Sequence, residues 1–190
     1  PIQVLPRVSL APGFSFVDEN GERLTNEDLR GSLTLYNFTY ADCGEGCLET
    51  GSVMRDVQEM VDGMDTDGIP FQQVTLSFDP ERDTPERLLS YAESVGADRS
   101  SWHFATGDPT RLKNVIGGGF GAYYNQEEDG AFKFDPMFVL VDGWGIIRAK
   151  YRTGEPDLAT IERDIGMIVE EANNSKGASR VAYEAAHLFL

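Results

Sequence analysis

The chain has 190 residues, of which 41% are hydrophobic and 25% are charged, and its net charge is −16. This length and composition fit one globular domain with a full hydrophobic core. The negative charge argues against nucleic acid and anionic membrane surfaces as partners and favours a basic or neutral protein. No apolar run approaches the roughly 18 residues that a transmembrane helix requires.

The N-terminal third predicts a hairpin, a central strand and a helix. Residues 14–17 and 22–24 flank Asn20 and Gly21, a typical hairpin turn. The apolar, β-prone run 33–39 predicts the first central strand. Apolar residues at helical spacing then predict a helix from about Glu45 to Gly63.

Strands and helices alternate through the middle of the chain, and hairpins dominate its later part. Thr84 and Pro85 have the residue types of an N-cap and a first helical position, so they should start a helix that runs to about Val95. The order predicts an α/β domain with a central mixed β-sheet flanked by helices and an N-terminal β-hairpin. The remaining predicted elements are strand 71–78, strand 102–106, helix 109–116 ended by Gly117–Gly119, hairpin 123–134, strands 137–141 and 146–151, and helix 156–172.

We expect residues 1–172 to form this domain and residues 173–190 to form a linker and a C-terminal helical tail. The stretch Asn173–Gly177 has the composition of a linker, and Val181, Ala185 and Leu188 make a weakly amphipathic helix after it. This tail either docks back on the domain or begins a longer segment.

Cys43 and Cys47 are the chain's two cysteines, spaced C-x-x-x-C where the predicted strand meets the predicted helix. A helix N-terminus lowers the pKa of a thiol towards the reactive thiolate. Sulfurs on one helical turn can close a disulfide or hold one soft metal ion. The alternative is a pair of small core residues, against which the glycines and the glutamate between the cysteines argue.

Three segments together give the sequence a family resemblance. Phe38 and Thr39 precede the cysteines, the run Leu76–Pro85 reads LSFDPERDTP, and Trp102–Gly107 reads WHFATG. This order resembles the Sco/SenC family over roughly residues 12–171. The resemblance implies a thioredoxin-like fold and a role in assembling the binuclear copper centre of cytochrome c oxidase.

The same resemblance implies a domain held outside the cytoplasm, in the periplasm or at the outer face of the membrane, by an N-terminal anchor. The chain begins with Pro1 rather than Met, so we expect that an anchor or leader has been removed. The implied partners are proteins with a cysteine pair, such as oxidase subunit II or another thioredoxin-like protein.

The family binds copper through the two cysteines and one distant histidine, and this chain departs from the pattern at the histidine. Counting eight positions back from Asp142 gives Phe134, with Asp135 beside it. We predict a structural or surface role for His103 and a solvated side chain for His187. Asp135 is a hard oxygen ligand and a poor substitute for a nitrogen. We therefore expect the protein to retain dithiol chemistry more surely than copper binding.

Pro136 has the register of the proline that opens a sheet strand opposite the cysteines in thioredoxin-like proteins. There a cis proline presents backbone to a bound, cysteine-containing chain, which would make Pro136 substrate-facing. The alternative is an ordinary proline before a strand, which strands tolerate.

Two functions therefore remain open at the level of sequence. The first is a thiol–disulfide oxidoreductase that requires no cofactor, in which Cys43 attacks and Cys47 resolves. The second is a chaperone in which both thiolates carry Cu(I). A peroxidase is disfavoured, because a resolving cysteine four residues away is too close to the first.

Overall fold

A computed structural model describes residues 2–175 and 180–188, without the side chains of residues 45–48, 180 and 183. An eight-stranded mixed sheet has the order β1-β10-β9-β4-β5-β6-β2-β3, and β7 and β8 form a separate hairpin. The strands are β1 (Ser9–Leu10), β2 (Ser15–Asp18), β3 (Arg23–Thr25), β4 (Leu33–Thr39), β5 (Phe71–Ser77), β6 (Trp102–Thr106), β7 (Tyr124–Gln126), β8 (Phe132–Phe134), β9 (Phe138–Val141) and β10 (Ile146–Tyr151).

Strands β4, β5 and β6 are parallel, so their C-terminal ends meet at one edge of the sheet. The other pairings within this sheet are antiparallel. The predicted mixed sheet and N-terminal hairpin are therefore present. Strand β1, which pairs with β10, has only two residues and gave no sequence signal.

The helices are α1 (Glu45–Asp62), α2 (Pro85–Ser94), α3 (Pro109–Leu112), α4 (Leu158–Asn174) and α5 (Arg180–His187). Thr84 caps α2 through a hydrogen bond from the Arg87 N–H group, and Pro85 occupies its first turn, as predicted. Within the described residues, no helix is long and apolar enough to cross a bilayer.

The sheet separates two hydrophobic layers because successive side chains of a strand point to opposite faces. Leu33 and Leu35 of β4 pack with residues of α1, α2 and α4. Tyr36 and Phe38 pack on the other side, with residues of α3 and of the segment after it. Strand β4 is buried along its whole length, which fixes the position of the segment that follows it.

The predicted end of the third helix at Gly117–Gly119 is wrong. A π-helix, Lys113–Phe120, continues from α3 through these glycines and places Phe120 in the core. A Cβ atom on Gly119 would lie 2.4 Å from the ring of Pro12. Glycine is required here for close packing rather than for breaking a helix.

The C-terminal part of the chain differs from the expected linker. Asn173 and Asn174 continue α4, while the other end of that stretch, residues 176 and 177, lies outside the described residues. Helix α5 returns to the domain: Glu184 pairs with Arg7 at 3.1 Å, and His187 Nε2 lies 2.9 Å from Glu171.

Candidate functional site

The cysteine loop, residues 40–44, joins β4 to α1 at the C-terminal edge of the parallel strands. Gly44 is the N-cap of α1 and has a φ of +77°, a conformation that glycine adopts without steric cost. This turn lets a buried strand lead directly into a helix N-terminus. Cys43 therefore lies at the strand-to-helix junction that the sequence predicts.

Cys43 is half-buried and disulfide-bonded. Its Sγ atom lies 3.8 Å from the Oγ1 atom of Thr39, and its side chain packs against the same hydrophobic cluster as Phe134. The backbone of Cys47 lies in the first turn of α1. The side chain of Cys47 is outside the described part of the chain, so its pairing with Cys43 stays a prediction.

A buried carboxylate, Asp83, holds the cysteine loop through a hydrogen bond to its backbone. Asp83 is completely buried, and its Oδ2 atom accepts hydrogen bonds from the Ala41 N–H group at 3.0 Å and from the Ser77 hydroxyl. Burial raises the pKa of Asp83 above its ordinary value, and these two hydrogen bonds offset part of that effect. Asp83 thus ties the loop to the end of β5.

Two arginines hold Asp42, the residue before Cys43. Arg87 Nη2 lies 2.7 Å from Asp42 Oδ1, and Arg82 Nη1 lies 3.9 Å from Asp42 Oδ2. Arg82 also donates to Asp79 at 2.6 Å. We call Asp42, Asp79, Arg82, Asp83 and Arg87 the charged cluster; it places two guanidinium groups around the residue next to Cys43.

The sequence predicted an N-cap at Thr84, at the end of the DPERDT run, but the rest of the run served only as a family signature. The run contributes Asp79, Arg82 and Asp83 to the charged cluster. Their contacts with the cysteine loop join residues about 40 positions apart. The sequence did contain a signal for this role: several charged residues follow directly after a buried strand, where a loop at the sheet edge is expected.

The position expected for the copper-ligand histidine is filled by an aromatic cluster. The Phe134 ring lies 5.3 Å from the Phe78 ring and 6.2 Å from the Tyr40 ring. Asp135 is exposed, and its backbone N–H group bonds to the Tyr123 carbonyl. An apolar ring offers no ligand atom, so the side chains here do not fit a nitrogen-rich Cu(II) site.

Pro136 lies beside the C-terminal end of β4, because the antiparallel register pairs Phe138 with Asn37. The peptide bond before Pro136 is trans, as are the others in the described residues. The interpretation as a cis proline is therefore wrong, and Pro136 is a proline ahead of a strand. Its role towards a substrate stays a prediction.

Neither histidine lies in the cysteine loop. His103 is near the start of β6 and faces Glu19, and His187 is on α5. The His187 side chain is 7% exposed, so the expectation of a solvated side chain is wrong. Burial acts to raise the pKa of Glu171, but hydrogen bonds from Arg148 and His187 outweigh it and lower the pKa.

The chain has relatives among curated proteins. A SCO2-like protein of Rickettsia felis is 31% identical over 136 residues, which cover 70% of this chain and 60% of the relative. The chain spans half to 60% of the length of the first curated relatives that it matches.

Two solved structures share the fold. BsSco, described as a member of the Sco family of cytochrome c oxidase assembly proteins with a disulfide switch, superposes with a TM-score of 0.76 at 23% identity, covering 88% of this chain and 98% of BsSco. Arabidopsis thaliana ScoI with copper bound gives 0.71 at 21% identity, covering 85% and 99%. The fold is thioredoxin-like, as these structures are. The SCO1/SenC family model matches residues 4–170, and the chain belongs to the SCO1/SenC family.

Proposed function

We propose that this protein is a thiol–disulfide oxidoreductase of the SCO1/SenC type that acts in assembling the copper centre of a respiratory oxidase. The observation that carries the proposal is a disulfide-bonded Cys43 at a helix N-terminus, beside an aromatic cluster that occupies the expected ligand position. Family membership supports the role in oxidase assembly.

In the reduced protein, the Cys43 thiolate attacks one sulfur of a partner's disulfide. A bond forms between Cys43 and the partner, and the partner's second sulfur leaves as a thiolate. The Cys47 thiolate then attacks Cys43, so the mixed disulfide breaks and the Cys43–Cys47 disulfide forms. Two electrons pass to the partner, whose two thiolates take up protons from solvent, and a dithiol donor must later reduce the protein.

Trapping experiments test this order of attack. A peptide with an internal disulfide is incubated with the reduced Cys47→Ser variant, and we expect a mixed disulfide with Cys43 on a non-reducing gel. Because the chain has two cysteines, the Cys43→Ser/Cys47→Ser variant is the matched blank. Trapping by Cys43→Ser alone would reverse the two roles, and trapping by neither folded variant would contradict the proposal.

A second candidate, a Cu(I) chaperone, is favoured by the copper-bound structure of a family member. Two thiolates hold soft Cu(I), whereas Phe134 supplies no third ligand and Asp135 supplies only an oxygen. We expect Cu(I) to bind through sulfur and Cu(II) to bind weakly. Phe134→His should strengthen Cu(II) binding in a titration, with Phe132→His as the control; tight Cu(II) binding by the unchanged protein would favour the chaperone.

The partners and location follow from the same proposal. A protein with a cysteine pair, such as oxidase subunit II or another thioredoxin-like protein, would be the redox partner. Assembly of such a copper centre places the domain outside the cytoplasm, at the outer face of the membrane. Trapping from membranes with Cys47→Ser and mass spectrometry would identify the partner; a trapped protein that has a single cysteine and no cysteine pair would contradict this assignment.

A further inference from the structure

A second group of ligand-type side chains lies away from the cysteine loop. The turn between β2 and β3 packs against the start of β6, where the Phe104 N–H group donates to Glu19 Oε2 at 3.1 Å. Asp18, Glu19 and His103 meet there, and one potential ligand atom from each lies within 4.8 Å of the others. Since β2 runs antiparallel to β6, this turn lies towards the N-terminal end of the parallel strands, opposite Cys43.

Two buried polar atoms face each other in this group without a hydrogen bond. Glu19 Oε1 and His103 Nδ1 are 3.9 Å apart, and neither atom has a hydrogen-bond partner. The Glu19 side chain is fully buried. A buried polar atom without a partner destabilises the fold, and a cation between the two atoms would satisfy both of them.

The surrounding hydrogen bonds orient both side chains for such a group. His103 Nε2 lies 3.2 Å from Gln72 Oε1, an acceptor, so Nε2 donates a proton there, and in the neutral imidazole Nδ1 then presents a lone pair. A histidine whose second nitrogen donates to an oxygen is the usual arrangement at metal centres. Asp18 Oδ1 accepts from the Asn20 and Glu22 N–H groups, both at 2.9 Å, which fixes that carboxylate.

The charge of the group also suits a cation. Two carboxylates and one imidazole are a donor set that matches a divalent ion. The nitrogen ligand favours Zn²⁺ over Ca²⁺ or Mg²⁺, which prefer oxygen ligands alone.

We propose that Asp18, Glu19 and His103 form a Zn²⁺ site that pins the β2–β3 turn to β6, separate from the cysteine loop. Zinc lies about 2.0–2.2 Å from nitrogen and oxygen ligands, so two ligands in a tetrahedral site are about 3.4 Å apart. The observed 3.9 Å needs a closure of a few tenths of an ångström. A fourth position is left for water.

Isothermal titration with Zn²⁺ tests the site, using the Cys43→Ser/Cys47→Ser variant so that no thiolate competes. We expect one Zn²⁺ per chain, at least tenfold weaker binding after Glu19→Gln or His103→Gln, and unchanged binding in the control His187→Gln. Gln72→Leu removes the hydrogen bond to His103 Nε2 and should weaken binding by about 10- to 100-fold. Co²⁺ in place of Zn²⁺ should give visible absorption bands that disappear in His103→Gln.

The competing explanation is a protonated His103 that pairs directly with Glu19. In that case Zn²⁺ would not bind stoichiometrically, or His103→Gln would bind it as the parent does, and either result overturns the proposal. Circular dichroism of each variant shows whether it is folded. If Glu19→Gln fails to fold, His103→Gln and Gln72→Leu still decide, because His103 is only half-buried.

Discussion

Two buried charges, Arg148 and Asp83, are satisfied to very different degrees. The Arg148 guanidinium donates to Asp142 at 3.1 Å, to Glu171 at 2.6 Å and to the carbonyls of Leu5 and Pro6. Asp83 receives two hydrogen bonds on one oxygen, and its other oxygen has no hydrogen-bond partner. The nearest cation to that second oxygen is Arg87 at 4.0 Å, on a side chain that is 44% exposed.

This difference separates a structural region from the region proposed to carry the redox chemistry. Around Arg148, complete pairing joins the N-terminal segment, β10 and α4 into one unit. Around Asp83, one carboxylate oxygen has no hydrogen-bond partner, so the free-energy cost of removing that oxygen from water is not fully compensated.

The largest effect is expected for Arg148→Met, which leaves Asp142 and Glu171 buried without their cation. Removal of one partner from a buried ion pair costs about 3–5 kcal/mol in the free energy of unfolding. Urea unfolding followed by circular dichroism measures it. The control Arg55→Ala breaks an exposed pair with Glu59 and should cost about 0.5 kcal/mol or less. If Arg148→Met and Arg55→Ala lost the same free energy of unfolding, a buried, fully paired arginine would contribute no more than an exposed one.

Glu171→Gln should cost less, about 1.5–3 kcal/mol at pH 7, because it weakens charged hydrogen bonds but keeps an acceptor for Arg148. The pKa of Glu171 is lowered by folding. Its contribution is therefore full above the ordinary glutamate pKa and is lost as the pH falls through the folded value. In urea unfolding from pH 7 down to pH 3, the difference in free energy of unfolding between the parent and Glu171→Gln should shrink. A difference that does not change with pH would contradict the lowered pKa of Glu171.

Asp83→Asn should change the unfolding free energy by about 1 kcal/mol or less at pH 7, with the opposite pH dependence. The pKa of Asp83 is raised by folding. The parent therefore binds more protons when folded, and its stability relative to the variant falls as the pH rises from below the ordinary aspartate pKa to above the folded value. Paired measurements at pH 3 and pH 7, beside Glu171→Gln, should give slopes of opposite sign.

The smallest effect is expected at the rim of the charged cluster. Arg87 and Asp42 are both about half exposed, so their pair should contribute about 0.2–1 kcal/mol. A double-mutant cycle with Arg87→Ala and Asp42→Ala isolates this coupling, which should fall further in 0.5 M salt. A coupling above about 2 kcal/mol would mean that the cluster is as tightly held as the Arg148 region.

Features with local physical causes could be predicted from the sequence. Thr84 and Pro85 start α2 through contacts within one turn. The Asn20–Gly21 turn gave the first hairpin. Residue spacing alone also located Cys43 at the end of β4, because the change from strand to helix periodicity occurs there.

Features that depend on residues far apart in the chain could not be predicted from the sequence. The trans bond before Pro136 and the burial of His187 depend on what packs around them, and neither leaves a periodic pattern in the chain. Gly117–Gly119 read as a helix end because helix propensity is local, whereas the contact with Pro12 that requires Gly119 spans about a hundred residues.

The sequence by itself determined the order of most strands and helices, the strand-to-helix junction at Cys43 and the family, because periodicity, caps and motif order depend on residues that are close in the chain. Only the tertiary structure decided that Asp83 holds Ala41, that Phe134 fills the expected ligand position with an aromatic cluster, and that Glu19 faces His103. These contacts join residues 42 to 94 positions apart. Such pairings are selected by burial and by the pairing of polar groups within the packed fold, which no local pattern records.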